Sequence, residues 1–204
     1  MNDKTLGSAF RGDLALPLGR IGGPSSEDHL LSGLQGDSSE MKCASVVALG
    51  LSGNKNNLHL SKALRQLVAH DEDPSVQSSA LIALGRIGGK NNLVFLMSRP
   101  KERSFHCRSF AASAIAIPLS QHPEHPLKSE ICASLLSSFK TTRNPQVQSS
   151  HAIALAQLSY HPAASIFSQV IKRGGAPAFC GKLCLSLGLL NYQPASKSHA
   201  PNCI

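Results

Sequence analysis

Small and apolar residues recur along the chain in one arrangement that occurs six times. Each copy has a mostly apolar anchor residue, an aliphatic residue eight positions later, and Gly or Ala at the ninth position. Successive copies are 31 to 40 residues apart, and this period is typical of proteins built from stacked helical repeats. The anchors are Phe10, Met41, Val76, Cys107, Val147 and Phe179.

Residues 73–89 show why each copy is expected to form a helix. Asp73 can accept hydrogen bonds from the free amides of a first turn, and Pro74 suits the first helical position. Apolar residues follow at helical spacing, and Gly88 and Gly89 are expected to end the helix. Asn144 precedes Pro145 in the same way, Ser104 is a candidate cap for a third copy, and Asp37 or Ser38 for a fourth.

A second, shorter apolar helix is predicted before each copy except the first, so the unit is helix A, a turn and helix B. The sequence therefore predicts an all-α protein, a right-handed α-solenoid of about six helix-turn-helix repeats in which the first repeat is incomplete. The small residues at the ninth position are expected to let neighbouring B helices approach closely. The predicted A helices are Glu27–Gln35, Asn56–Ala69, Asn91–Ser98, Leu127–Phe139 and Ala163–Lys172.

The B-helix segments resemble the second helix of HEAT-like repeats. The resemblance rests on MKCASVVALGLSGN, VQSSALIALGRIGG, FRGDLALPLGRIGG and VQSSHAIALAQLS, and it covers residues 6–191. They are most similar to the short prokaryotic-type repeats that also occur in phycobilin lyase subunits. The resemblance implies a solenoid with B helices on its inner curve, and it does not imply one function, since such repeats serve scaffolds, adaptors, lyase subunits and some enzymes.

The predicted organisation is one solenoid over residues 1–191, followed by a Pro- and Ser-rich tail, 192–204, that is expected to be disordered. Neither end has an evident polar capping repeat, and the last B helix, Pro177–Asn191, is apolar on nearly every side. Three explanations stay open: a longer array, pairing of the uncapped ends with another copy, or a partner protein that covers them. Imperfect packing with fraying is the alternative.

Charge is unevenly distributed along the chain. The net charge is +8, and residues 131–204 contain six Lys and Arg but no Asp or Glu. This asymmetry favours an acidic partner near the C-terminal half, whether protein, nucleic acid or lipid headgroups. The alternative is a basic surface without a dedicated ligand. No apolar stretch of 18 or more residues occurs, so no membrane span is expected, and without a secretory signal a cytoplasmic location is expected.

Two columns of polar side chains on the B helices are the candidate partner-binding residues. Residues at the same position of successive repeats should line up, so each column should form a polar strip along the inner curve. The alternative is an ordinary solvated helix face. The first column is Arg11, Lys42, Gln77, Arg108 and Gln148; the second contains Arg20, Arg86 and Gln157.

No reaction centre is evident in the sequence. Cys180 and Cys184 lie four residues apart without a second ligand pair, and the prolines of the QHPEHP segment favour a loop over a metal-binding helix. His151 stands in a column otherwise held by small or aliphatic residues, so it is expected to be either a partly exposed surface residue or a core histidine with a hydrogen-bond partner. The core histidine is favoured over a catalytic role. The iron-dependent hydroxylase built on HEAT-like repeats uses His-Glu dipeptides, and this chain has none.

The sequence thus predicts a non-enzymatic scaffold or adaptor that needs no cofactor or metal and binds another protein through its inner surface or its ends. Nucleic-acid binding through the basic C-terminal half is a less favoured alternative, since few aromatic residues are available for stacking on bases. A subunit of a lyase-type enzyme is a third hypothesis, which rests on the resemblance alone.

Overall fold

A computed structural model describes residues 8–36, 38–52, 57–99 and 104–192, with side chains described from residue 14 onward. These residues form eleven α-helices and no strand, joined by short turns. The odd-numbered helices are the predicted B helices and the even-numbered ones the A helices. They are α1 Ser8–Ile21, α2 Pro24–Gly33, α3 Ser39–Ser52, α4 Leu58–His70, α5 Pro74–Ile87, α6 Lys90–Ser98, α7 Phe105–Gln121, α8 Lys128–Thr141, α9 Pro145–Gln157, α10 Ala164–Arg173 and α11 Pro177–Leu189.

Side-chain caps fix where most B helices begin. The Asp73 carboxylate accepts the amide hydrogen of Ser75 at 2.7 Å, and Asn144 accepts those of Gln146 and Val147. Hydrogen bonds from the Ser39 hydroxyl and then from the Ser75 amide lower the pKa of Asp73. The predicted caps Ser38 and Ser104 also accept an amide hydrogen, each at 3.3 Å. Asp37, the alternative to Ser38, lies outside the described residues.

The predicted helix ends agree with the observed ones to within three residues. The largest difference is at α2, which begins at Pro24 rather than at Glu27. Pro24 occupies the first helical position after Gly23, as Pro74 does in α5, because proline's fixed φ suits that position. α5 ends as predicted at Gly88, whose φ of +68° lies in the region that favours glycine.

The six B helices form one closely packed layer. Each packs on the next, and their backbones approach through the small residues of the ninth position. At Gly19 an added Cβ would lie 2.5 Å from the Ala48 carbonyl oxygen, and at Gly50 it would lie 3.0 Å from the Ala83 Cα. A larger residue at either position would force the neighbouring helix to move. The sequence prediction of close helix approach at these glycines is therefore confirmed.

The A helices pack mainly on the B helices beside them and meet one another through side chains. Phe139 of α8 and Phe167 of α10, for example, form an edge-to-face pair with centroids 5.0 Å apart. Neighbouring helices are therefore closer in the B layer than in the A layer, so the stack curves with the B helices on its concave side. Together the layers form the predicted α-solenoid, and its core holds the aliphatic residues of the eighth position: Leu49, Leu84, Ile115 and Leu155, each at most 1% exposed.

No helix in the described part of the chain has the length and apolar character needed to cross a membrane. The predicted tail begins at Tyr192, which is described, while residues 193–204 lie outside the described residues.

Candidate interaction groove

A cavity of about 430 Å³ opens on the concave side of the B layer, across α3, α5 and α7. It lies within the size range of ligand-binding clefts. We call it the concave groove. Its lining residues are Val47, Pro74, Ser75, Ser78, Ser79, Ile82, Ala83, Arg86, His106 and Phe110.

Apolar side chains from three successive repeats form the floor of the concave groove. Val47 of α3 is 41% exposed, and Ile82 of α5 and Phe110 of α7 are half-buried. The His106 ring lies parallel to the Phe110 ring, with centroids 6.4 Å apart, and also contacts Phe105. The groove therefore offers an apolar surface to solvent, which is typical of a site that binds another molecule.

One polar group, the guanidinium of Arg86, is available to a ligand at the rim of the concave groove. The Ser78 hydroxyl already donates to the Pro74 carbonyl oxygen at 2.7 Å. Arg86, by contrast, is exposed and has no ion pair or hydrogen bond within the part of the chain that the structure describes. The Nδ1 atom of His106 is buried without a hydrogen-bond partner among the described residues. A ligand that places an acceptor near the Arg86 guanidinium would gain hydrogen bonds that the described residues do not make to it.

The first predicted column of polar residues makes contacts within the protein. Lys42 forms an ion pair with Asp71, with 2.9 Å between Nζ and Oδ2, and Gln77 donates to the Asp71 backbone carbonyl at 2.7 Å. Gln148 donates to the Phe139 carbonyl at 3.3 Å. Arg108 is half-buried, and its Nε has no partner among the described residues. Arg11 lies in α1, and its side chain is outside the described part.

These contacts show which part of the molecule the column faces. Asp71 directly follows α4, and Phe139 lies in the last turn of α8, so the column faces the turns that join A helices to B helices. The side chains bind carbonyl or carboxylate oxygens at the ends of A helices, which need partners there. Gln77 and Gln148 thus join a B helix to the A helix before it, and Lys42 joins α3 to the end of α4 in the next repeat. Partner binding by this column stays a prediction.

The second predicted column is open to solvent. Arg20, Arg86 and Gln157 are all exposed, each near the C-terminal end of its B helix. Of the three, Arg86 lines the concave groove. The structure therefore places one predicted partner-binding residue in the groove and leaves the other two on the surface.

The apolar floor was missed by sequence reasoning that looked for polar candidates. Val47 and Ile82 stand six positions after their anchors, in a column that is aliphatic in five of the six repeats. Aliphatic residues that recur on the solvent side of a helix could have revealed this surface. The other aliphatic members of the column are Leu16, Ile153 and Leu185, and Ser113 interrupts it.

His151 is a core residue in the structure. Its side chain is fully buried, and its Nδ1 lies 2.6 Å from the Val147 carbonyl oxygen, while its Nε2 has no partner within the described residues. Burial is the main cause that lowers the pKa of His151; the charge of Arg108 lowers it further, and the hydrogen bond to Val147 opposes both. The predicted core position is found, with only one of the two ring nitrogens satisfied.

Within the described residues, the cysteine and histidine side chains do not form a cluster that could hold a metal ion. Among the described residues, no group of three or more His, Cys, Asp or Glu is placed to hold a metal ion. The five cysteines within the described part are free thiols, and Cys184 is exposed on α11. Cys203 lies outside the described residues.

Comparison with known families agrees with the repeat pattern. Residues 27–116, which run from α2 to α7, match the family described as HEAT repeats. This part of the chain therefore consists of HEAT repeats. The matched span includes every residue that lines the concave groove, so the groove is formed by HEAT repeats. The phycobilin-lyase variety of the repeat stays a prediction.

Two solved structures are similar to this chain. One is an engineered protein with 17% sequence identity and a TM-score of 0.49. The match covers 92% of this chain and 93% of the engineered chain. The other is human deoxyhypusine hydroxylase in complex with glycerol, with 14% identity and a TM-score of 0.46, covering 94% and 82%. Among curated proteins, no sequence matches the chain.

Proposed function

We propose that this protein is a non-enzymatic scaffold that binds a segment of another protein in the concave groove. The observation that carries the proposal is the exposed apolar floor formed by Val47, Ile82 and Phe110 beside the unpaired Arg86. When a partner covers exposed apolar surface of this kind, the removal of that surface from water favours binding.

The chemistry of the groove indicates the kind of segment it accepts. An apolar side chain of the partner would enter between Val47, Ile82 and Phe110, where it is removed from water. A carboxylate next to it would bind the guanidinium of Arg86, which forms strong charge-assisted hydrogen bonds with such groups. The expected ligand is a segment with an apolar residue close to Asp or Glu.

The proposal can be tested with a matched pair of variants. Peptides selected from a displayed random library would be titrated against the wild type, Val47→Asp and Val94→Asp. Val94 is 55% exposed on the A helix α6, away from the groove, so it controls for adding the same charge to an exposed valine. We expect Val47→Asp to weaken binding by at least about tenfold, since a charge would be buried in the contact, and Val94→Asp to have no effect.

A second pair tests the charged part of the site. Arg86→Glu should weaken the same peptides, whereas Arg173→Glu, at the exposed end of α10, should not. Equal effects of the two valine variants, or selected peptides without acidic residues, would argue against the groove. Selection of basic peptides would contradict the proposal that Arg86 binds a carboxylate of the partner.

A further inference from the structure

A second cavity, of about 560 Å³, lies at the edge of the solenoid where B helices end and A helices begin. It lies between the C-terminal ends of α5 and α7 and the starts of α6 and α8. We call it the edge cavity. Its lining residues are Arg86, Gly88, Gly89, Lys90, Leu93, Pro118, Leu119, Gln121, His122, His125, Pro126 and Leu127.

The inner part of the edge cavity is apolar. Leu93 and Leu119 are buried core residues that present one side to the cavity, and Leu127 packs against the same core. Pro118 and Pro126 complete this surface. A ligand with a hydrocarbon or aromatic body would therefore remove apolar area from water here.

The rim of the edge cavity is basic. Arg86 and Lys90 are exposed, and neither has an ion pair or hydrogen bond within the described residues. His122 and His125 add two further nitrogen groups. No Asp or Glu lines the cavity, although Glu124 belongs to the same loop. The electrostatic potential inside the cavity therefore favours an anion.

Two backbone features orient hydrogen-bond donors at this rim. Nδ1 of His125 accepts the amide hydrogen of Leu127 at 3.2 Å, so the proton of the neutral ring is on Nε2 and can be donated. α6 begins after Gly89, which has no side chain to cap the first turn. The amides of that turn carry partial positive charge, which adds to the charge of Lys90.

The basic lining is particular to this position and is not imposed by the repeat. The sequence Gly-Arg-Ile-Gly-Gly occurs at both 19–23 and 85–89, before α2 and α6 respectively. Beside the first copy, a cavity includes Gly23 together with Glu27 and Asp28, so its charged lining residues are acidic. The same turn thus borders cavities of opposite charge, and side-chain choice alone makes the edge cavity basic.

We propose that the edge cavity binds an amphipathic organic anion, with an apolar body and a single carboxylate or phosphate head. The body contacts Leu93, Leu119 and Leu127, and the head lies between Lys90, Arg86 and His125. This site is separate from partner binding in the concave groove, although Arg86 belongs to both cavities.

The test uses four small probes on the folded protein, followed by NMR of ¹⁵N-labelled protein. Octanoate and octyl phosphate carry body and head, octanol carries the body alone, and inorganic phosphate carries the head alone. We expect saturable shifts of the amides of residues 88–93 and 119–128 with at least one of the two amphipathic anions. Octanol and phosphate should each bind at least about tenfold more weakly. The stronger of the two anions identifies the head that the site prefers.

Variants separate this site from nonspecific binding and from the concave groove. Lys90→Glu should weaken the preferred probe by at least about fivefold, while Lys62→Glu, an exposed lysine of α4, should leave affinity unchanged. Val47→Ala should also leave it unchanged, because Val47 lines only the other cavity and this substitution adds no charge to the groove that Arg86 shares. Octanol that binds as well as octanoate, equal effects of the two lysine variants, or shifts centred on Val47 and Phe110 would each overturn the proposal. Circular dichroism of each variant confirms that it is folded.

Discussion

Gly85 of α5 lies directly against Ala114 of α7: a Cβ added to this glycine would be 2.9 Å from the Ala114 Cα and would overlap the adjoining carbonyl group. Gly188 stands at the matching position of α11, and apart from its own helix backbone no described residue has an atom within 4 Å of where its Cβ would be. One repeat position thus provides a crowded site and an open one in the same chain.

Alanine at these two glycines should have opposite effects on stability. Gly85→Ala should lower the free energy of unfolding by about 1–3 kcal/mol, because the helices must separate to admit the methyl group. Gly188→Ala should be neutral or stabilising by up to about 1 kcal/mol, because alanine favours the helix. Urea unfolding followed by circular dichroism measures both. A loss at Gly188 equal to that at Gly85 would contradict the open position.

The ion pair between Lys42 and Asp71 should contribute to folding. The Asp71 side chain is only 6% exposed, so Lys42→Met would leave a nearly buried carboxylate without its cation. We expect a loss of about 1–2 kcal/mol in the free energy of unfolding, and a smaller loss for Lys42→Met in an Asp71→Asn background. A Lys42→Met variant that keeps full stability but loses peptide binding would instead favour the partner-binding role predicted from the sequence.

His151 should make the protein less stable in mild acid. Because burial lowers its pKa in the folded state, the unfolded chain binds more protons than the folded protein below about pH 6.5. Stability should therefore fall as the pH drops through 6.5 towards the folded-state pKa, by at most about 1.4 kcal/mol per pH unit, and this contribution becomes constant below that value.

Replacement of His151 by leucine tests this origin of the pH dependence. Leucine occupies the same column at Leu14 and Leu183, and Leu183 is fully buried. Urea unfolding at pH 7.5, 6.0 and 5.0 gives the free energy of unfolding at each pH. This free energy should change less with pH for His151→Leu than for the wild type. The same change with pH in both proteins would assign the effect to other groups.

The cysteines should differ widely in their reaction with iodoacetamide. Burial raises the pKa of the Cys132 thiol, and burial followed by the charges of Asp73 and Asp71 raises that of Cys43, partly opposed by a hydrogen bond to Ser79. Since the thiolate is the reactive form, Cys132, which is 1% exposed, should react at least about tenfold more slowly than the exposed Cys184. Peptide mass spectrometry after timed labelling gives the order; faster reaction at Cys132 would show that α8 opens readily.

The fold could be predicted because its main constraint is local and repeated. Leu84 and Gly85 are adjacent in sequence. Packing of a B helix on its neighbours requires one aliphatic and one small residue at these two positions in every repeat. Proline and capping residues such as Asp73 then mark where the helices begin. These requirements repeat six times, so the pattern stands out against the variable positions.

The groove could not be predicted to the same extent, because it depends on contacts between distant residues. Val47 and Val94 are both exposed valines on helices, yet only Val47 lies on the concave side beside Phe110 of another repeat. Lys42 belongs to a polar column in the sequence, but its partner Asp71 lies 29 residues later, at the end of an A helix. Such pairings follow from the curvature of the stack and the position of each turn.

Arg86 borders both cavities, and this shared residue has a thermodynamic consequence. An anion that binds the guanidinium from the edge side neutralises the charge that an acidic segment would meet in the concave groove. Occupancy of one cavity should therefore lower affinity at the other, and by linkage the factor is the same in both directions. Because one side chain belongs to both cavities, the affinity for an acidic segment would depend on the concentration of a small anion.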